Sequence, residues 1–143
     1  MVQIIKVTPI FSVAPQIAPA DLAAIAAEGF RTVLNVRPDN EQPGQASGQE
    51  IETEARRLGL DYDYIPVVAN AISDADIAKF EAVIAERQGP VFCYCRSGTR
   101  AIILWALAEA ARQEPFAILK TADAAGYDIS GFMTRIEQRR SAR

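Results

Sequence analysis

The chain predicts an α/β fold: a single three-layer domain with a mainly parallel sheet flanked by helices. Three observations predict it. Short apolar runs of strand length alternate with segments of helical period along the chain, as repeated strand–helix units require. A length of 143 residues fits one domain, spanning 1–143, with a single sizeable core. Finally, the apolar run "GPVFCYC" leads through "RSGTR" into a segment that is apolar nearly all round, the mark of a buried strand feeding a buried helix. The sequence contains no internal repeat, low-complexity tract or linker.

Taken in order, "IIKV" and "FSVA" read as short strands. "APADLAAIAAEG" reads as a helix with Asp21 in its first turn, Leu22 and Ile25 on one face and Gly29 as its C-terminal cap. "RTVLNV" is a β-branched strand closed by Arg37-Pro38. The polar stretch "RPDNEQPGQASGQ" is a long loop, after which Ile51, Ala55 and Leu58 mark a helical face ending at Gly59. "DYDYIPVV" reads as a strand. Ser73 with Asp76 forms an acidic capping box for a helix whose face is Ile77, Phe80 and Ile84. "GPVFCYC" is the next strand, and a buried helix runs from Thr99 to about Arg112. Two further helices follow, the last using Ile129, Phe132, Met133 and Ile136.

Composition narrows the function. A net charge of −3 argues against a nucleic-acid or membrane-surface binder. The longest apolar run, "AIILWALA", is far too short to cross a bilayer. The start "MVQIIKVTPIFSV" lacks the features of a signal peptide, so a cytoplasmic protein is expected. Two cysteines one residue apart make no disulfide framework and fit a reducing compartment. There is no histidine, which removes Ser-His-Asp and Cys-His catalysis together with the usual histidine metal sites. No metal or organic cofactor site is expected.

The stretch "CYCRSGTR" carries the chemistry. A turn between a buried strand and a buried helix aims backbone N–H groups into one concavity, and the helix N-terminus adds partial positive charge. Gly98 permits backbone angles closed to other residues, while Arg100 adds a fork of donors suited to oxyanions. A thiolate is itself an anion, so such a site activates Cys95 without an imidazole. In this reading the N–H groups of Arg96, Ser97, Gly98 and Thr99 form the cradle, with the Arg96 side chain screening its mouth. The alternative for Cys95 is a small buried hydrophobe. Cys93, inside the strand, reads as a core thiol rather than a resolving partner.

"VFCYCRSGTRAIILWALA" resembles the signature of the beta-lactamase-hydrolase-like, phosphatase-like domain family, and "FSVAPQIAPADLAAIAAEGFRTVLNVRPDNE" resembles that family's opening. The second stretch is more distantly similar to the opening of dual-specificity phosphatases. The resemblance runs from about Phe11 to Ala108. It implies a cysteine-phosphatase-like fold with Cys95 as nucleophile and Arg100 as the oxyanion-holding arginine. Some members of the family are named phosphatases and others sulfur transferases.

The chain departs from the phosphatase pattern in three ways. Tyr94 stands where cysteine phosphatases carry histidine, and four residues separate Cys95 from Arg100 instead of five, a spacing seen in rhodanese-like sulfurtransferases. The phosphatase acid is also missing after "YIPV", where Val68, Ala69, Asn70 and Ala71 follow. Asp74 or Asp76 is a possible acid, although both look like helix-capping residues; Asp39 or Glu41 is a remote alternative, and Arg37 a possible anion holder. An alkoxide leaving group wants a proton, whereas a sulfur donor such as thiosulfate releases a stable anion. The leading expectation is therefore persulfide-forming sulfur transfer on a small anionic substrate (thiosulfate or a persulfide). The alternative is hydrolysis of a phosphate ester through a cysteinyl-phosphate. A third is a non-catalytic anion-binding regulatory module.

Overall fold

Ile5–Thr8 (β1), Phe11–Ala14 (β2), Thr32–Asn35 (β3), Asp61–Tyr64 (β4) and Val91–Tyr94 (β5) form one sheet in the order β1-β2-β5-β3-β4. β1 pairs antiparallel with β2, and the other three pairings are parallel. The computed structural model describes residues 2–142; Met1 and Arg143, the two ends of the expected domain, lie outside them. Parallel neighbours need crossovers, which Leu22–Ala27 (α1), Gly48–Arg57 (α2) and Asp74–Glu86 (α3) supply; Thr99–Glu109 (α4), Pro115–Ala124 (α5) and Met133–Ser141 (α6) follow the last strand.

Side-chain alternation along β5 divides the core. Cys93 and Val91 join the cluster formed with α3, α4, α5 and α6, whereas Phe92 and Tyr94 join the one formed with α1 and α2. Every β5 residue is buried, as a central strand covered on both faces requires. α4 is buried over nine of its eleven residues, from Arg100 through Ala108. That accounts for a segment apolar nearly all round.

The strand β2 leads into α1 on one face of the sheet, and its neighbour β5 leads into α4 on the other. Adjacent parallel strands whose connections depart to opposite faces open a crevice at their carboxyl ends, where ligands of such sheets bind. Cys95 lies at this point, and its N–H reaches the Ala14 carbonyl at 3.3 Å.

Several element boundaries differ from the sequence reading. "DYDYIPVV" pairs as a strand only through Tyr64. Pro66 has no N–H to give a ladder, and the chain continues on two separate bonds, Ile65 N–H to the Asn35 carbonyl and Val67 N–H to the Val36 carbonyl. Asp21 closes a 3-10 turn ahead of α1 rather than sitting in the first turn of the helix, and its carboxylate accepts from Ala18 N–H at 2.8 Å. α4 stops at Glu109, and Ile129 precedes the last helix instead of belonging to it. The capping box is present as read: Asp76 N–H donates to Ser73 Oγ and Ser73 N–H to Asp76 Oδ2, both at 3.0 Å.

Candidate active site

The turn Cys95–Arg100 joins β5 to α4. Gly98 enters it with φ +90°, an angle that favours glycine, and caps the start of α4. This geometry turns the Gly98 N–H inward, and it donates to Cys95 Sγ at 3.1 Å. The thiol is buried, with 1% of Cys95 exposed. It therefore faces a backbone donor and a helix N-terminus rather than water. Cys93, fully buried on the same face, has no such donor among the described residues; burial, and then the charge of Cys95, pushes its thiol well above the ordinary value. Cys93 is a core thiol, as its position in the strand implied.

Arg100, in the first turn of α4, is buried and planted over the crevice. Its Nη1 donates to Glu41 Oε2 at 2.7 Å and to the Val67 carbonyl at 2.9 Å, and its Nη2 donates to Glu41 Oε1 at 2.8 Å. The irregular tail after Pro66 thus supplies the Val67 oxygen to the site. The Glu41 bonds, and further the negative sulfur of Cys95, hold the Arg100 proton more tightly than usual.

Arg37 lies behind Glu41. Its Nε donates to Glu41 Oε1 at 2.8 Å, Nη1 to Gln16 Oε1 at 3.0 Å and Nη2 to Gln42 Oε1 at 3.1 Å. With 2% exposure and all three nitrogens engaged, Arg37 braces the loop after β3 and holds Glu41, rather than offering a free fork to substrate. Glu41 therefore bridges two guanidiniums. The Arg100 hydrogen bonds, helped by Arg37, hold its carboxyl at about 2 against the opposing effect of burial. Such a carboxylate stays ionised near neutrality and has no proton to give, which corrects its reading as a remote acid.

This linkage has a measurable sign. The folded carboxyl titrates below its ordinary 4.5, so between 4.5 and 2 the unfolded chain binds the proton more readily. The stability contributed by the network is fully present above pH 4.5 and is lost as pH falls through about 2. Melting temperature against pH checks it: Glu41→Gln should lower Tm near neutrality and flatten its fall across that acid window. Parallel curves for the two proteins would refute the linkage.

The remaining residues divide between the loop and elsewhere. Ser97 and Thr99 join Oγ to Oγ1 at 2.9 Å on the exposed rim of the turn. Arg96 is exposed, its carbonyl accepts from Gln16 N–H at 3.2 Å, and it lines an open groove of about 540 Å³ together with Gln16, Arg37 and Gln42. Asp39 Oδ1 accepts from Gly48 N–H at 2.8 Å, which commits it to the start of α2. Asp74 pairs with Arg135 and Arg139 of α6 at 3.3 and 3.2 Å, and its carboxylate is 83% exposed. Asp76 is committed to the capping box, and each possible acid is thus engaged. Tyr127, which the sequence reading missed, donates from its hydroxyl to the Ser97 carbonyl at 3.0 Å. Among the described residues no cluster of three His, Cys, Asp or Glu could hold a metal ion, and no helix is long and apolar enough to cross a membrane.

Comparison with known proteins bears on this site. Residues 3–112 match the family described as "Beta-lactamase hydrolase-like protein, phosphatase-like domain". A beta-lactamase hydrolase-like protein of Agrobacterium fabrum is 40% identical over 106 residues, which is 74% of this chain and 25% of that protein. The chain thus spans about a quarter of that relative's length. A candidate phosphatase from Neisseria meningitidis is 31% identical with a TM-score of 0.86, covering 95% of this chain and 97% of its own. The core catalytic domain of the PP-IP phosphatase SIW14 from S. cerevisiae shares the fold, with a TM-score of 0.69 at 13% identity, over 94% of this chain and 83% of its own.

Proposed function

We propose that this chain, a member of the beta-lactamase hydrolase-like, phosphatase-like domain family, is a cysteine-dependent phosphatase for small phosphate monoesters. The observation that carries the reading is the Gly98 N–H at 3.1 Å from Cys95 Sγ, at the start of α4 and beside a buried Arg100. The thiolate attacks phosphorus, forming a sulfur–phosphorus bond as the phosphorus–oxygen ester bond breaks. The leaving oxygen takes the electron pair and a proton from solvent. Water then cleaves the cysteinyl-phosphate, releasing phosphate and restoring the thiolate. Arg100 and the loop amides stabilise the equatorial oxygens of the transferring group. The burial of Cys95, with 1% of the residue exposed, favours small substrates. With Asp39 and Asp74 engaged elsewhere and Glu41 ionised, good leaving groups are favoured, because aryl oxides need less protonation.

This reverses the order expected from the loop spacing and the missing acid. Family membership and the similarity to the Neisseria candidate phosphatase support phosphate-ester chemistry over sulfur transfer. The second reading, persulfide-forming transfer at the same thiolate, keeps two observations in its favour: no free acid stands beside Cys95 among Asp39, Glu41 and Asp74, and four residues between Cys95 and Arg100 make a small ring that suits a single terminal sulfur.

One paired experiment separates the two. The native protein should turn over an aryl phosphate, and its intact mass should stay unchanged after incubation with thiosulfate. A stable added sulfur on Cys95 without aryl phosphate turnover would overturn the phosphatase reading in favour of sulfur transfer.

A further inference from the structure

We propose that Tyr127 is a positioning residue that locks the Ser97–Gly98 peptide so that its N–H faces the Cys95 sulfur. The Ser97 carbonyl and the Gly98 N–H belong to one trans peptide unit, so they point in opposite directions. The carbonyl accepts the Tyr127 hydroxyl at 3.0 Å on one side, while the N–H donates to Cys95 Sγ at 3.1 Å on the other. Rotating that peptide would break both bonds together. The hydroxyl therefore holds the donor in place from outside the loop.

Tyr127 is itself held firmly. It follows α5 in a Schellman turn: Gly126, at φ +96°, donates its N–H to the Asp123 carbonyl, and Tyr127 N–H donates to the Ala122 carbonyl, both at 2.9 Å. The phenol then lies so close over Gly98 that a β-carbon there would collide with its oxygen. Gly98 is thus required twice, by its backbone angle and by the ring above it. Burial, and then the negative charge of Cys95, raises the phenol's titration above its ordinary value, so it remains a donor when the thiolate is charged. Tyr127 also falls beyond residues 3–112, so the segment matched to the family does not contain this brace.

This role rests on Cys95 being the nucleophile of the proposed function, whichever group is transferred. The test compares the native protein with Tyr127→Phe, which keeps the ring and removes the hydroxyl, and with Tyr127→Leu, which removes both. Alkylation of Cys95 is followed across pH by intact mass, with and without inorganic phosphate as protecting anion. Without the hydroxyl the peptide is free to turn, so the amide bond to sulfur is intermittently lost. Tyr127→Phe should then alkylate about fivefold more slowly near neutrality, the order expected for part of one hydrogen bond to a charged group. The half-point of its pH profile should move upward, phosphate protection should weaken by a similar factor, and Tm should stay close to native. If Tyr127→Phe matches the native pH profile and only Tyr127→Leu is slowed, the ring merely packs and the proposal is overturned. A native protein whose Cys95 resists alkylation at every pH would remove the nucleophile and this role with it.

Discussion

Cys95→Ser should reduce aryl phosphate turnover by at least about a thousandfold while leaving the fold intact. A serine hydroxyl fits the volume of the thiol and can accept from the Gly98 N–H, so the turn and α4 keep their start. What disappears is the more acidic and more nucleophilic atom: a thiol ionises far more readily than an alcohol, and the nearby carboxylate of Glu41 is held by Arg37 and Arg100 rather than free to take a proton. The chain contains no histidine that could substitute. Steady-state turnover together with circular dichroism measures both halves of the expectation. A folded serine variant retaining a tenth of the native rate would exclude Cys95 as nucleophile and leave anion binding as the function of the turn.

The second large effect is expected for Arg100→Lys, with kcat/KM falling about a hundred- to a thousandfold. Charge is conserved in this variant and geometry is lost. The guanidinium meets both Glu41 oxygens and the Val67 carbonyl in one arrangement, while also acting on the Cys95 sulfur. An ammonium is a point charge on a flexible stem; it can satisfy Glu41 or attend the thiolate, but it cannot do both from a fixed plane. Inhibition by inorganic phosphate should weaken in parallel. Near-native kcat/KM in the lysine variant would mean that only positive charge matters at this position and that the fork to Glu41 has no part in catalysis.

What the sequence disclosed depended on how local the cause was. The order apolar strand, glycine-bearing turn and apolar helix lies in one stretch from Gly89 to Glu109, and each step follows from burial or backbone freedom, so the surroundings of Cys95 were legible. The same holds for the capping box at Ser73 and Asp76. The Glu41–Arg100 bridge joins residues 59 positions apart. Nothing in the period of a polar loop fixes where its carboxylate points, although the i,i+4 spacing of Arg37 and Glu41 was there to be read. Asp74 was placed correctly at a helix start, but its partners Arg135 and Arg139 lie on a helix more than sixty positions away, and no local pattern announces them. Tyr127 was hidden for the same reason: the Schellman turn that aims it is local, and its target is not.

The position of β5 between two parallel neighbours bears on how the molecule comes apart. Backbone amides of a strand bonded along both edges become accessible to solvent deuterium only when the sheet itself opens. Residues 39–45, in contrast, form a largely solvent-exposed loop held by side-chain bonds from Arg37 and Arg100 rather than by a strand ladder, so they open at lower cost than the sheet. Glu41 travels with that segment, whereas Cys95 is attached to the part that opens last. The two halves of the site should therefore open as different cooperative units. Mild denaturation should release the carboxylate that orients Arg100 long before it disturbs the sulfur, so that loss of function precedes loss of fold.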